Sequence, residues 1–289
     1  MGRIAVPAAW ERIDVARVRG LVLIVGAADT GKTTLARYLY GRLLEDHDAV
    51  AFVDGDVGQA TLGPPATMTI GVSGPDEAEF PPGGPRRRYF VGDISPTGHM
   101  LPTVVGARKL VDWALEQGAT AAVFDTTGLV QKSRGGGALK LALVDLLGPE
   151  LTVGLQRGSE LEHLLAPLRR SGRTRVVDCG VAASVTRRGR EERRRHRAER
   201  YLAAFAEAEG LRVRWSDYAV IPAPTFSEHR LVALADGDGF VLGLGIVVGV
   251  HRESETVELL TTCASLEDVD SLHIGDVVVN PKTYEDRRL

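Results

Sequence analysis

Gly26-Ala27-Ala28-Asp29-Thr30-Gly31-Lys32-Thr33 matches the spacing G-x-x-x-x-G-K-[ST] without a gap, and Thr34 follows it. In this pattern the glycines let successive backbone N–H groups wrap a phosphate. The lysine reaches the β- and γ-phosphates, and the hydroxyl residue binds Mg²⁺. The nine residues 26–34 are therefore the expected nucleotide cradle, with Lys32 as phosphate contact and Thr33 as metal contact. A glycine turn joining a strand to a helix is the plainer alternative. The completeness of the match and its setting favour the phosphate site.

Three carboxylates accompany it. Asp54 and Asp56 lie in Asp54-Gly55-Asp56-Val57-Gly58-Gln59, just after the apolar run Ala49-Val50-Ala51-Phe52-Val53. In an extended backbone, residues 54 and 56 project to one side. One can hold metal-bound water while the other takes a proton from an attacking hydroxyl. An Asp-Gly turn is the structural alternative. Asp125 ends a second apolar run, Ala121-Ala122-Val123-Phe124, where P-loop proteins carry the carboxylate that contacts Mg²⁺. Asp125 thus competes with Asp54 and Asp56 for the metal; the expected division makes Asp125 an outer-shell metal residue and turns Asp56 to the acceptor.

The elements that must position these groups follow from periodicity. Leu21-Val22-Leu23-Ile24-Val25 reads as a central parallel strand, and Leu35, Leu39 and Leu43 recur at helical spacing behind the loop. Strands 151–155 and 175–177 and helices 104–117 and 160–168 extend an α/β pattern. The expected class is α/β: a P-loop fold with a mainly parallel sheet flanked by helices. After Ile221-Pro222-Ala223-Pro224 the texture changes to short strands separated by turns. The expected division is a P-loop domain over 1–222 and a small β-rich domain over 223–289, either a nucleic-acid-binding barrel or a structural cap. Residues 61–88, rich in Pro and Gly, read as a long irregular excursion; Arg86, Arg87 and Arg88 at its end either touch phosphates or are simply solvated. The segment from Thr126-Thr127-Gly128 to Gly135-Gly136-Gly137 reads as a flexible loop over the site. Trp10 either stacks on an adenine or packs beneath the first strand.

Among 289 residues, the hydrophobic and charged fractions of 44% and 25% are those of a soluble globular protein. A net charge of −3 does not by itself point to nucleic acid. The arginines are clustered, however, most densely between Arg187 and Arg200, and a helix running on to residue 209 is expected there. Arg193, Arg197 and Arg200 share one face of it, and Arg190 and Arg194 another. The helix is either a solvated surface or a lid over 184–209 that brings an arginine to a transferring phosphoryl group. Met1-Gly2-Arg3-Ile4 opens without a secretory signal, no apolar stretch is long enough to span a membrane, and Cys179 and Cys263 lack metal-ligand spacing. Two buried thiols and a cytoplasmic protein are expected.

Taken together, residues 26–33, Asp54-Gly55-Asp56-Val57-Gly58-Gln59 with Gly63-Pro64-Pro65, Ser95-Pro96-Thr97-Gly98-His99, Thr127-Gly128 and the arginine helix ending Arg200-Tyr201-Leu202 resemble the polynucleotide 5′-hydroxyl-kinase family, which includes RNA kinases of pre-mRNA, tRNA and ribosomal RNA processing. The resemblance covers nearly the whole chain. It implies ATP and Mg²⁺ as cofactors and RNA, or also DNA, as acceptor. It further implies that Asp56 stands near the attacking hydroxyl, that Gln59, Thr127 and Gly128 contact the acceptor, and that the lid arginines fall among Arg193, Arg194 and Arg197. One departure is Leu129, where many relatives carry Trp after Thr-Gly; if that aromatic clamps the substrate, leucine weakens the grip. The rival readings are a non-catalytic ATP-binding scaffold in an RNA-processing assembly and a P-loop NTPase acting on a small molecule.

Overall fold

Apolar runs that end in Gly, Asp-Gly or Asp-Thr become three inner strands of one sheet. The computed structural model describes residues 6–74 and 76–289; residues 1–5, including the opening read above for a secretory signal, and Pro75 lie outside the described residues. In chain order the elements are α1 (Ala8–Glu11), β1 (Leu21–Gly26), α2 (Lys32–Leu44), β2 (Val50–Gly55), β3 (Thr67–Val72), β4 (Arg86–Phe90), α3 (Met100–Glu116), β5 (Ala121–Thr126), α4 (Gly136–Leu147), β6 (Leu151–Gln156), α5 (Glu162–Ser171) and β7 (Arg175–Gly180). Their strands form a sheet in the order β4-β3-β2-β5-β1-β6-β7. The pairs from β2 through β5, β1 and β6 to β7 are parallel, and β3 runs antiparallel to β2. Every residue of β1, β2, β5 and β6 is buried, as parallel strands covered by helices require. Trp10 is also buried, its ring 6.1 Å from that of Tyr38, so packing accounts for it.

The chain continues with α6 (Arg190–Ala204), β8 (Glu209–Arg214), β9 (Ala219–Ile221), β10 (Arg230–Ala235), β11 (Val241–His251), β12 (Thr256–Thr261), β13 (Ser271–Val279) and β14 (Asp286–Arg288). These strands build a second sheet, ordered β14-β13-β10-β11-β12-β8, with β9 parallel to β13. Alternation along β10 serves both faces. Leu231 and Ala233 join a cluster with Tyr201 and Phe205, whereas Val232 and Leu234 join Phe226, Leu259 and Leu272.

Contacts divide the chain differently from the expected boundary at 222. One unit runs to Asp56 and adds Thr69–Arg86 and Thr103–Arg188; the other comprises Val57–Met68, Arg87–Pro102 and Gly189–Leu289. The second begins earlier because β8 pairs with β12 and β9 with β13, and because Ala66 and Phe90 share a core with Tyr201 and Phe205. Three other expectations need correction. Segment 61–88 is not wholly irregular: it contains β3, buried throughout, and Arg86, Arg87 and Arg88 lie in β4. The clusters of Pro and Gly at either end masked the alternating Met68, Ile70 and Val72. The arginine helix stops at Ala204, because Glu209 already pairs with Thr261 in the second sheet. The third concerns the glycine loop, which is taken up with the site below. Among the described residues, no helix is long and apolar enough to cross a membrane. Cys179 and Cys263 are both free and buried, as expected.

Candidate active site

The cradle forms where β1 hands over to α2. Gly31 adopts φ 90°, a left-handed conformation open to glycine at little cost, and caps the helix that starts at Lys32. The Leu35 N–H donates to the Gly31 carbonyl at 3.0 Å and sets the first helical turn. The Thr30 hydroxyl donates to the Ala27 carbonyl at 2.9 Å, and the Lys32 ammonium reaches back to the same oxygen at 2.8 Å. The Arg157 guanidinium donates to the Asp29 carbonyl, and the Arg188 N–H to the Asp29 carboxylate at 3.3 Å. The Ala27 carbonyl is thus held by the loop's own side chains, and the dipole end of α2 lies behind it.

Strand register brings the carboxylates together. Ile24 pairs with Asp125, and Asp125 with Asp54, so the acidic residues lie side by side at the level where β1 enters the loop. Both are buried to 1% exposure. The Thr33 hydroxyl donates to Asp125 Oδ2 at 2.6 Å, whereas Asp125 Oδ1 is buried and meets no hydrogen-bond partner among the described residues. Burial pushes the Asp125 carboxyl up to about 7; the Lys32 ammonium and the Thr33 hydroxyl oppose that rise, and Asp54 and Asp56 add to it. Asp56 stands at the end of β2, its N–H donating to Asp54 Oδ1 at a long 3.4 Å. Thr33, Asp54, Asp56 and Asp125, named from spacing, therefore converge within the first unit.

The stretch after β5 is tied down rather than loose. The Thr126 hydroxyl donates to the Ile24 carbonyl at 2.6 Å. Lys140 of α4, almost wholly buried, donates to the Thr127 carbonyl at 2.7 Å. Gly128 approaches the cradle so closely that a Cβ there would stand 2.8 Å from the Ala28 nitrogen. Lys132–Arg134 form a single 3₁₀ turn, and Gly136 and Gly137 already belong to α4. The glycine run, expected to be a flexible loop, therefore starts a helix. Leu129 is buried to 9% exposure, packed within the protein.

Lys140 is the group that the spacing argument missed. Burial pushes its ammonium down to about 7, with Lys32 acting in the same direction and Asp56 and Asp125 opposing it. Its signal was a lone cation inside the apolar helix Ala138-Leu139-Lys140-Leu141-Ala142-Leu143.

The other candidates belong to the second unit. The Gln59 amide donates to the Gly58 carbonyl at 2.6 Å and the Arg193 carbonyl at 3.3 Å. Arg194 pairs with Glu285 at 3.1 Å, where both side chains are about half exposed. Arg197 donates through Nε to both oxygens of the buried Asp286, at 3.0 and 2.8 Å. This ion pair gives Arg197 a structural partner that helical spacing could not indicate.

Residues 26–207 match the family described as mRNA cleavage and polyadenylation factor CLP1 P-loop. The chain is 26% identical to a polyribonucleotide 5′-hydroxyl-kinase of Methanocaldococcus jannaschii, over 91% of this chain and 88% of that protein. It is 25% identical to one of Pyrococcus abyssi, over 94% of this chain and 91% of that protein. A solved chain of a Clp1p–Pcf11p complex shares the fold, with a TM-score of 0.66, 13% identity, and coverage of 89% of this chain and 74% of that one. With a nucleotide cradle at 26–34, a hydroxyl–carboxylate pair at Thr33 and Asp125, and this match across most of its length, the chain belongs to the CLP1 P-loop family.

Proposed function

We infer that this chain transfers the γ-phosphoryl group of ATP to the 5′-hydroxyl end of RNA, and that DNA ends are a second acceptor to be ranked against it. The observation that carries the reading is the convergence of four groups beside the 26–34 cradle: Asp54 and Asp125 in register across β2 and β5, Thr33 hydrogen-bonded to Asp125, and Asp56 just after β2. The acceptor class is supported by relatives named as polyribonucleotide 5′-hydroxyl-kinases that align along about nine-tenths of their length.

The residues fit Mg²⁺. Asp125 Oδ1 is a buried acceptor with no hydrogen-bond partner among the described residues, in a carboxylate that also meets the Thr33 hydroxyl, and hard oxygen ligands are what this ion prefers. Thr33, Asp54, Asp56 and Asp125 would hold it, together with water and phosphate oxygens. When bound, Mg²⁺ neutralises charge on the transferring phosphate. Lys32, now on the Ala27 carbonyl, is assigned to the phosphate oxygens. Asp56 orients the acceptor hydroxyl and takes its proton as the oxygen bonds to phosphorus and ADP leaves. Gln59, Thr127 and Gly128 are assigned to the acceptor strand. Arg193 and Arg194 are assigned to the charge of the transferring group, and Arg197 to holding their helix through Asp286.

The test uses purified protein, Mg²⁺ and ATP labelled at the γ-phosphate, with matched RNA and DNA oligonucleotides bearing 5′-hydroxyl or 5′-phosphate ends. Label should appear only on hydroxyl ends and vanish with Lys32→Ala. Asp56→Asn should lower turnover by about 10²–10⁴-fold; full turnover in that variant would remove the assigned base. ATP hydrolysis indifferent to polynucleotide ends would favour the small-molecule reading, and ATP binding without turnover the scaffold.

A further inference from the structure

Arg37 lies one turn beyond Thr33 on α2, about 6 Å further along the same helix face. Its side chain is half-buried, and Cζ stands 4.4 Å from the centroid of the Phe80 ring. Phe80 is itself a fixed platform. It packs edge-on against Phe52 at 4.9 Å and Tyr40 at 6.3 Å. Its loop is pinned by Glu77, which accepts from the Tyr40 hydroxyl at 2.6 Å and from the N–H groups of Gly74 and Gly83 at 2.8 and 2.6 Å.

Burial lowers the Arg37 guanidinium from its ordinary value, the charges of Asp125 and Asp54 oppose that fall, and Arg188 adds to it. Arg37 Nε, however, is buried without a hydrogen-bond partner among the described residues. A stacked arginine satisfies its face on the ring and keeps its edge for an anion. Burying an N–H donor without an acceptor is costly, and an anion is the group that would complete it.

Position selects the anion. The cradle at 26–34 takes the nucleotide at the amino end of α2. Arg37 stands away from that end, within the fields of Asp125 and Asp54, the latter two residues before Asp56. The helix rise from Thr33 to Arg37, about 6 Å, is comparable to one sugar–phosphate repeat. We propose that Arg37 binds the first internucleotide phosphate of the acceptor strand, on the 3′ side of the nucleotide that carries the reacting 5′-hydroxyl. The Arg37–Phe80 pair then makes the enzyme select a polynucleotide end over a free nucleoside. This rests on the kinase reading for its acceptor, but the phosphate contact can be measured without turnover.

The experiment pairs Arg37→Gln with 5′-hydroxyl oligoribonucleotides whose first linkage is either a phosphodiester or an uncharged methylphosphonate. Binding is read by fluorescence anisotropy of a 3′-labelled strand, with a non-hydrolysable ATP analogue bound; analogue affinity also reports whether the variant is folded. In the unaltered protein, the neutral linkage should weaken binding about tenfold or more, as should Arg37→Gln with the charged strand. In the variant the neutral linkage should cost little further. A full additional loss in the variant would show that another group reads this phosphate and would overturn the proposal. Kinetics supply the second arm: the KM for the oligonucleotide should rise while the KM for ATP holds. A fall in kcat shared by every acceptor, with oligonucleotide affinity unchanged, would assign Arg37 to the transferring phosphate instead and overturn the proposal. If no acceptor is phosphorylated yet the linkage effect depends on Arg37, the kinase reading fails and the phosphate contact stands.

Discussion

Asp125 and Asp286 are both carboxylates taken almost wholly out of water, at 1% and 5% exposure, but their surroundings differ. Asp286, in the β-rich unit, is closed off: the Arg197 guanidinium serves both oxygens. Asp125, in the P-loop unit, has Thr33 on one oxygen and, among the described residues, no hydrogen-bond partner on the other. A paired buried charge completes the protein, whereas a half-satisfied one keeps binding capacity for a ligand at a cost in stability. The same contrast separates Arg197 from Arg37. One cation is committed to a carboxylate; the other is stacked on a ring, and its Nε has no hydrogen-bond partner among the described residues.

Substitutions can break this contrast. The largest effect should follow from Arg197→Ala, which leaves Asp286 buried and unpaired: about 3–5 kcal/mol of unfolding free energy should disappear in a denaturant titration. Replacing both partners with apolar residues of similar volume should recover most of that loss. If the single variant were as stable as the parent, the two carboxylates would not differ as described. A smaller change of opposite sign is expected for Asp125→Asn. Removing a charge that burial disfavours should leave stability equal or up to about 1–2 kcal/mol higher, while phosphoryl transfer collapses. Thermal unfolding and label transfer on one preparation would reveal a variant that loses stability and activity together, which would make Asp125 a structural group like Asp286.

Lys140→Met sharpens the comparison through pH. Burial depresses the lysine in the folded protein to about 7, so between roughly pH 7 and 10 the unfolded chain holds more protons than the native one, and native stability rises with pH. The cost of burying the charged form is complete below pH 7 and fades above it. Met carries no such cost, so the melting temperature of the variant relative to the parent should be most favourable at or below pH 7 and decline toward pH 10. A difference that does not change with pH would mean that Lys140 is no more perturbed than a surface lysine.

Several of these residues were legible in the chain itself. The cradle at 26–34, Asp54, Asp56 and Asp125 could be found because each closes or follows an apolar run, and the end of a buried parallel strand is where such folds place ligands. The strand β3 was hidden because its short alternating run is enclosed by proline and glycine clusters, whose local meaning is a loop. Lys140 and Arg37 were missed for a different reason. A lysine in an apolar helix and an arginine on a polar one look ordinary until the helices are packed and show which side is dry. The boundary at 222 was misplaced because strand pairing is non-local: β8 and β9 lie before the proline pair, yet they add to strands dozens of residues downstream.

Sequence by itself determined the chemistry and the class of fold. A phosphate cradle demands glycine, lysine and hydroxyl at set spacing, and burial demands unbroken apolar runs, so both are written in local order. Only the tertiary structure decided which charges are spent and which are held for a ligand. Thr33 meets Asp125 across 92 positions of sequence, and Arg197 meets Asp286 across 89. Hydrogen-bond satisfaction is a property of the space around an atom, and that space is filled by residues that no local pattern brings together.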